Sequence, residues 1–122
     1  MTPLASGIDL IEIVRLREAV ERHGIRLLGR IFTPQEIEEV GDSVASLAAR
    51  FAAKEAVAKA LGTGIGDVGW LEIEILRGSN RQPILYLHGA AARLAEEKGL
   101  HHWSISLSHS LTIAIALAVA IG

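Results

Sequence analysis

Residues Ser43 to Leu61 run without glycine or proline and are rich in alanine. Alanine is the best helix former, and Gly62 follows where a helix end favours glycine, so the stretch is predicted to be one helix. On a wheel turning ~100° per residue, Val44, Leu47, Ala48, Phe51, Ala58 and Leu61 share one arc. Ala45, Ala49, Ala53, Ala56 and Ala60 lie opposite. A helix that is apolar or small on nearly every side must be covered nearly all round. The rest of a 122-residue chain therefore has to wrap it.

Composition says what the wrapping is made of. Half the residues are apolar but only 4% are aromatic, so Ala, Ile, Leu and Val must build the core. A mean hydropathy of +0.36 excludes a disordered or collagen-like chain. It also exceeds what a small monomer comfortably hides, which points to a subunit interface. A net charge of −2 argues against coating nucleic acid, and the absence of cysteine excludes disulfides, thiolate nucleophiles and cysteine metal sites. Met1 to Gly7 lacks the pattern of a signal peptide. The longest apolar run, Ile113 to Ile121, is about half the ~20 residues a membrane-spanning helix needs. The expectation is a soluble, cytoplasmic protein without nucleic-acid or membrane partners.

Ile8 to Ile13 reads as a first strand carrying Asp9 and Glu12. From Val14 the apolar period turns helical, with Gly24 ending or bending the helix. Thr33, Pro34 and Glu36 form a helix start with a capping box, opening a short acidic helix to Gly41. Gly62 to Gly69 is a glycine-rich loop. Trp70 to Leu76 alternates, with Leu71, Ile73 and Ile75 inward and Glu72 and Glu74 outward, as in a half-buried strand. A turn over 78–83, a strand Ile84 to Leu87 and a helix Ala90 to Lys98 follow. Strands Trp103 to Ser108 and Leu111 to Ile121 join around His109 and Ser110. No repeat or linker interrupts residues 1–122, so a single compact α+β domain is expected, an antiparallel sheet packed with a long central helix.

Two carboxylates are out of place. Glu55 falls inside the apolar arc of the long helix, either as an i,i+4 surface partner of Lys59 or as a ligand needing a cation. Asp9 lies on the inward face of its strand, either bonding a backbone amide or facing such a cation. One carboxylate from a strand and one from a buried helix suit Mg²⁺, which keeps several waters and bridges phosphates. The loop at Gly62, Thr63, Gly64 could cradle phosphate or merely cap the helix, and it has no P-loop lysine. Ser106, Ser108 and His109 invite a hydrolase reading, but no G-x-S-x-G elbow is present. His109 is better read as a phosphate or hydroxyl contact. Arg15, Arg22 and Arg26 form one stripe if the helix survives Gly24. They are either solvated beside Glu18 or a dock for an acidic partner.

Taken together, Gly7-Ile8-Asp9, Phe32-Thr33-x-x-Glu36, the block from Arg50-Phe51-Ala52-x-Lys54-Glu55-Ala56 through Lys59-Ala60-Leu61-Gly62-Thr63-Gly64, and Ser106-x-Ser108-His109 resemble the holo-acyl-carrier-protein synthases. These are the small bacterial 4′-phosphopantetheinyl transferases. The resemblance runs from Gly7 to Ala120 and implies that family's fold. It implies transfer of the phosphopantetheine arm of coenzyme A to a serine of apo-acyl carrier protein, releasing 3′,5′-ADP. By the same resemblance Asp9 and Glu55 match Mg²⁺ ligands, and Lys59 completes the catalytic set at the coenzyme A phosphates. Arg50, Gly62, Thr63, Gly64 and His109 match cofactor-pocket positions. Arg15 and Arg22, with Arg26 on their stripe, match the helix that receives the carrier protein, and the assembly is expected to be a homotrimer. The chain departs from the pattern between Glu36 and Arg50, which is short, and residues 41–49 hold no Lys or Arg where many members bring a basic residue to the phosphates. The alternative is a non-catalytic trimeric module binding nucleotide phosphates or an acidic carrier. Retention of both Asp9 and Glu55 favours the enzyme.

Overall fold

In the computed structural model, which describes residues 2–122, the long helix α3 spans Val44–Ala60. Ser43 caps it, its hydroxyl accepting from Ser46 N, and Ala48, Ala52, Ala53, Ala56, Val57 and Ala58 have no solvent access. The cover is a three-stranded antiparallel sheet in the order β1 (Leu4–Glu12), β5 (Ile113–Ile121), β4 (His102–His109). Along β5 every inward residue is alanine: Ala114, Ala116, Ala118 and Ala120 are buried against α3. Alanine against alanine lets a helix lie very close to a sheet. Gly7, opposite Ala118 in the ladder, carries this furthest, because a Cβ there would collide with the Ala56 carbonyl oxygen.

Helix α1 (Ile13–Ile31) crosses one end of α3 and is broken at Gly24, whose φ of 61° and ψ of −143° are not helical. Helix α2 (Pro34–Val40) starts with the expected capping box: Thr33 Oγ1 accepts from Glu36 N at 3.2 Å, and Glu36 Oε1 accepts from Thr33 N at 2.9 Å. Strands β2 (Ile73–Arg77) and β3 (Pro83–Leu87) form a separate antiparallel hairpin, and α4 (Gly89–Glu97) follows. None of the helices among the described residues is long and apolar enough to cross a membrane.

Two expectations need correction. The first strand starts at Leu4, not Ile8, because its pairing with β5 runs on to Leu4 opposite Ile121, and Ile13 already belongs to α1. Trp70 to Leu76 is not one strand: Trp70–Glu72 is a 3-10 turn, with Trp70 packed on Phe51 at 4.9 Å between ring centroids. Leu71 falls in the turn and is exposed; Ile73 and Ile75 point inward as expected, but Glu74 on the opposite face is buried rather than solvated, because Thr33 and His88 cover it. An exposed apolar patch lies on the outer sheet face, with Leu4, Ile8, Leu10, Leu117 and Ile121.

Candidate active site

The close approach at Gly7 positions the chemistry. Side chains alternate along a strand, so Asp9 shares Gly7's inward face and meets α3 about one turn further along. There Lys59 Nζ lies 3.2 Å from Asp9 Oδ1 and donates to the Ile8 carbonyl at 2.9 Å. Glu55, one turn earlier on α3, lines with Asp9 a cavity of about 490 Å³ whose walls include Arg15, Leu16 and Phe51. Burial, and then the Asp9 charge, push the Glu55 carboxyl above its usual range, against the opposing pull of Lys59. The i,i+4 pairing of Glu55 with Lys59 is not what forms; Lys59 pairs with Asp9.

Lys59 pairs with Asp9 alone, so of the two carboxylates that open to the cavity Glu55 has no cation bonded to it. Among the described residues no group of three or more His, Cys, Asp or Glu could hold a metal. Two carboxylates alone would leave most of a coordination shell to water and phosphate oxygens. That fits Mg²⁺ and does not fit a closed zinc site.

Arg50 is buried, with one nitrogen donating to Glu39 Oε1 at 2.8 Å and the other to the Glu36 carbonyl at 3.3 Å. It lines a second cavity, of about 140 Å³, together with His109. Gly62, Thr63 and Gly64 line neither cavity. The Gly62 and Thr63 N–H groups donate to the Lys59 and Ala58 carbonyls at the end of α3, and the Thr63 hydroxyl donates to Asp67. In this structure the loop acts as a helix cap. Ser108 and His109 are consecutive on β4 and so point to opposite faces, and no hydrogen bond joins them among the described residues.

The arginines do not share one surface, although Arg22 and Arg26 stay together across the kink at Gly24. Arg15 faces the Asp9 and Glu55 cavity, whereas Arg22 and Arg26 surround a different hollow with His23 and Arg30. No ion pair within 4 Å joins Glu18 to Arg15 or Arg22 among the described residues.

The sequence reading missed a buried polar network beside the site. Lys54, fully buried, donates to Glu36 Oε1 at 2.7 Å and to the carbonyls of Trp70 and Ile73 at 3.0 and 2.6 Å. Burial pulls the Lys54 ammonium below its usual range, against the attraction of Glu36. Glu36 Oε2 also accepts from Ile75 N, while Glu74 takes the Thr33 hydroxyl and the His88 ring. The signal was present: on the wheel Lys54 stands among Leu47, Val57 and Leu61.

Comparison with known proteins identifies the family. A family model described as the 4′-phosphopantetheinyl transferase superfamily matches residues 5–117. A holo-[acyl-carrier-protein] synthase of Herpetosiphon aurantiacus is 49% identical, over 98% of this chain and 99% of the relative. The structure of the Helicobacter pylori holo-[acyl-carrier-protein] synthase in complex with coenzyme A has a TM-score of 0.87 and 34% identity, covering 94% of this chain and 98% of that one. A Bacillus anthracis holo-(acyl-carrier-protein) synthase in complex with coenzyme A (3′,5′-ADP) gives 0.80 at 32% identity, with 97% and 96% covered. The chain belongs to the 4′-phosphopantetheinyl transferase superfamily, as an enzyme of its holo-[acyl-carrier-protein] synthase group.

Proposed function

We propose that this enzyme moves the 4′-phosphopantetheine arm of coenzyme A to a serine hydroxyl of an apo-acyl carrier protein, with Mg²⁺ held by Asp9 and Glu55. The observation that carries the reading is that Asp9 and Glu55 line one cavity while Lys59 is held on Asp9 at 3.2 Å. In the transfer, the serine oxygen bonds to the phosphorus that carries the pantetheine arm. The bond from that phosphorus to the leaving 3′,5′-ADP breaks, and the hydroxyl proton is released. Mg²⁺ bound at the two carboxylates would neutralise charge on the pyrophosphate.

The chain's own residues orient the reactants. Lys59, half exposed and tied to β1 through Ile8 and Asp9, offers a fixed positive charge beside the leaving phosphate. Phe51 and Leu16 give the cavity an apolar wall, which strengthens charge interactions inside it. Arg50 and His109 hold the nucleotide end. Arg15, Arg22 and Arg26 receive the acidic carrier. We read the assembly as a homotrimer. The exposed apolar face of Leu4, Ile8, Leu10, Leu117 and Ile121 supports a subunit interface there.

Asp9→Asn and Glu55→Gln test the metal assignment. Each should abolish transfer and weaken Mg²⁺ binding measured by calorimetry, while the circular dichroism spectrum of the fold persists. Unchanged Mg²⁺ binding in both variants would refute the assignment.

A further inference from the structure

Lys54 is the one fully buried lysine among the described residues, and it stands beside Glu55 in sequence without sharing its cavity. Nor does it line the cavity at Arg50 and His109. Its ammonium has three N–H groups, and three acceptors take them: Glu36 Oε1, the Trp70 carbonyl and the Ile73 carbonyl. The Phe32 ring covers it, 5.5 Å from Nζ to the centroid. With every donor occupied, Lys54 has none to offer a substrate. Replacing a buried ion pair by apolar side chains of similar volume is often neutral or stabilising, so stability alone is a weak reason for this pair.

What the ammonium holds is a turn. Trp70 and Ile73 bracket the 3-10 turn Trp70–Glu72, whose own backbone bond runs from Ile73 N to the Trp70 carbonyl. A single 3-10 turn has poor hydrogen-bond geometry and little rigidity of its own. Lys54 pins both of its ends to α3. Three residues earlier on the helix, Phe51 takes the Trp70 ring at 4.9 Å between centroids. Trp70 also packs on the apolar cluster that holds Leu16 and Ile31. Phe51, Leu16 and Ile31 are all walls of the cavity at Asp9 and Glu55. An unbroken chain of contacts thus runs from the Lys54 ammonium through the Trp70 carbonyl and ring to Phe51 and the cavity.

We propose that Lys54 is a positioning residue: it sets the Trp70 turn so that the Trp70 ring fixes Phe51 at the cavity wall beside Glu55, and the rate of transfer depends on that placement. This rests on the Asp9 and Glu55 cavity being where transfer occurs, as proposed above. A misplacement of about 1 Å at a reacting site can cost ~100-fold in rate. The Trp70 ring lies away from the cavity of Arg50 and His109, so its loss falls on kcat and leaves KM for coenzyme A in place.

Trp70→Leu is the first variant, because it keeps the carbonyl that Lys54 holds and removes only the ring on Phe51. Its kcat per folded molecule should fall on the order of tenfold, with KM for coenzyme A little changed. Lys54→Met with Glu36→Leu removes both charges together and should also lower kcat per folded molecule. Adding Trp70→Leu to that pair should cost little more, since all three changes act through one wall. Full kcat in Trp70→Leu, or losses that multiply, would overturn the assignment and leave Lys54 a matter of stability. Emission from Trp70, read with Trp103→Phe as background, separates this from the functional proposal. It should move to the red when Lys54→Met and Glu36→Leu are introduced. If the wild type transfers nothing but the emission moves, Lys54 still sets the wall and the transfer reading falls. Unmoved emission would overturn the assignment by itself.

Discussion

Lys59 reaches across from α3 to Asp9 on β1, its Nζ 3.2 Å from Oδ1, and so leaves Glu55 on its own helix without a paired cation. The consequence is a site whose charge balance depends on pH and on a bound cation.

Glu55 has a carboxyl raised by burial and by Asp9. A raised folded value means that ionising it opposes folding: the fold loses stability as pH rises from the ordinary glutamate range through the raised value. A bound cation removes that cost. Mg²⁺ should therefore raise Tm more at pH 8 than at pH 5, and its apparent affinity should fall as acid protonates Glu55. Lys59→Met removes the one charge that pulls Glu55 back, so the acid limb of Mg²⁺ binding should move to higher pH. Calorimetry across pH checks both.

Gly7→Ala should destabilise the protein by about 1–3 kcal/mol, because the added methyl meets the Ala56 carbonyl oxygen and must push α3 from β1. Urea unfolding measures the loss. Activity should fall further than stability explains, since Asp9 moves with the strand.

Much of this arrangement was legible in the sequence, and the exceptions have physical causes. The span of α3 and the Thr33 and Glu36 capping box are local matters, settled within a few residues, and they appear as expected. Asp9 and Glu55 stood out because each was a charge on an apolar face. Their meeting was not legible from periodicity, because it depends on Gly7 lying against Ala56 across the sheet. Glu74 was misread because alternation tells which face a side chain takes and not whether that face is covered, and Thr33 and His88 cover this one. Lys54 was overlooked because its partners, Glu36 and the carbonyls of Trp70 and Ile73, come from separate segments.

The Lys54 and Glu36 pair gives a further prediction. Lys54→Met leaves a buried carboxylate without its cation and should cost about 3–5 kcal/mol in urea unfolding. The double variant Lys54→Met with Glu36→Leu should recover a substantial part of that loss. A double variant no more stable than Lys54→Met would show that the pair is not the source.

Reversal of the arginines tests the carrier dock. Arg15→Glu with Arg22→Glu should raise KM for the carrier protein with little change in KM for coenzyme A, and the difference should shrink as salt screens the charges. Because Arg22 and Arg26 line one hollow and Arg15 another, adding Arg26→Glu should deepen the effect of Arg22→Glu more than that of Arg15→Glu. A carrier KM unmoved at low salt would place the dock on another face.

Transfer itself is tested most directly by intact-mass spectrometry of an apo-acyl carrier protein incubated with the enzyme, coenzyme A and Mg²⁺. The carrier should gain the mass of one phosphopantetheine group, only when Mg²⁺ is present, and not with Glu55→Gln. A carrier whose mass stays that of the apo form, under conditions where the enzyme binds coenzyme A, would contradict the account and leave a binding module in its place.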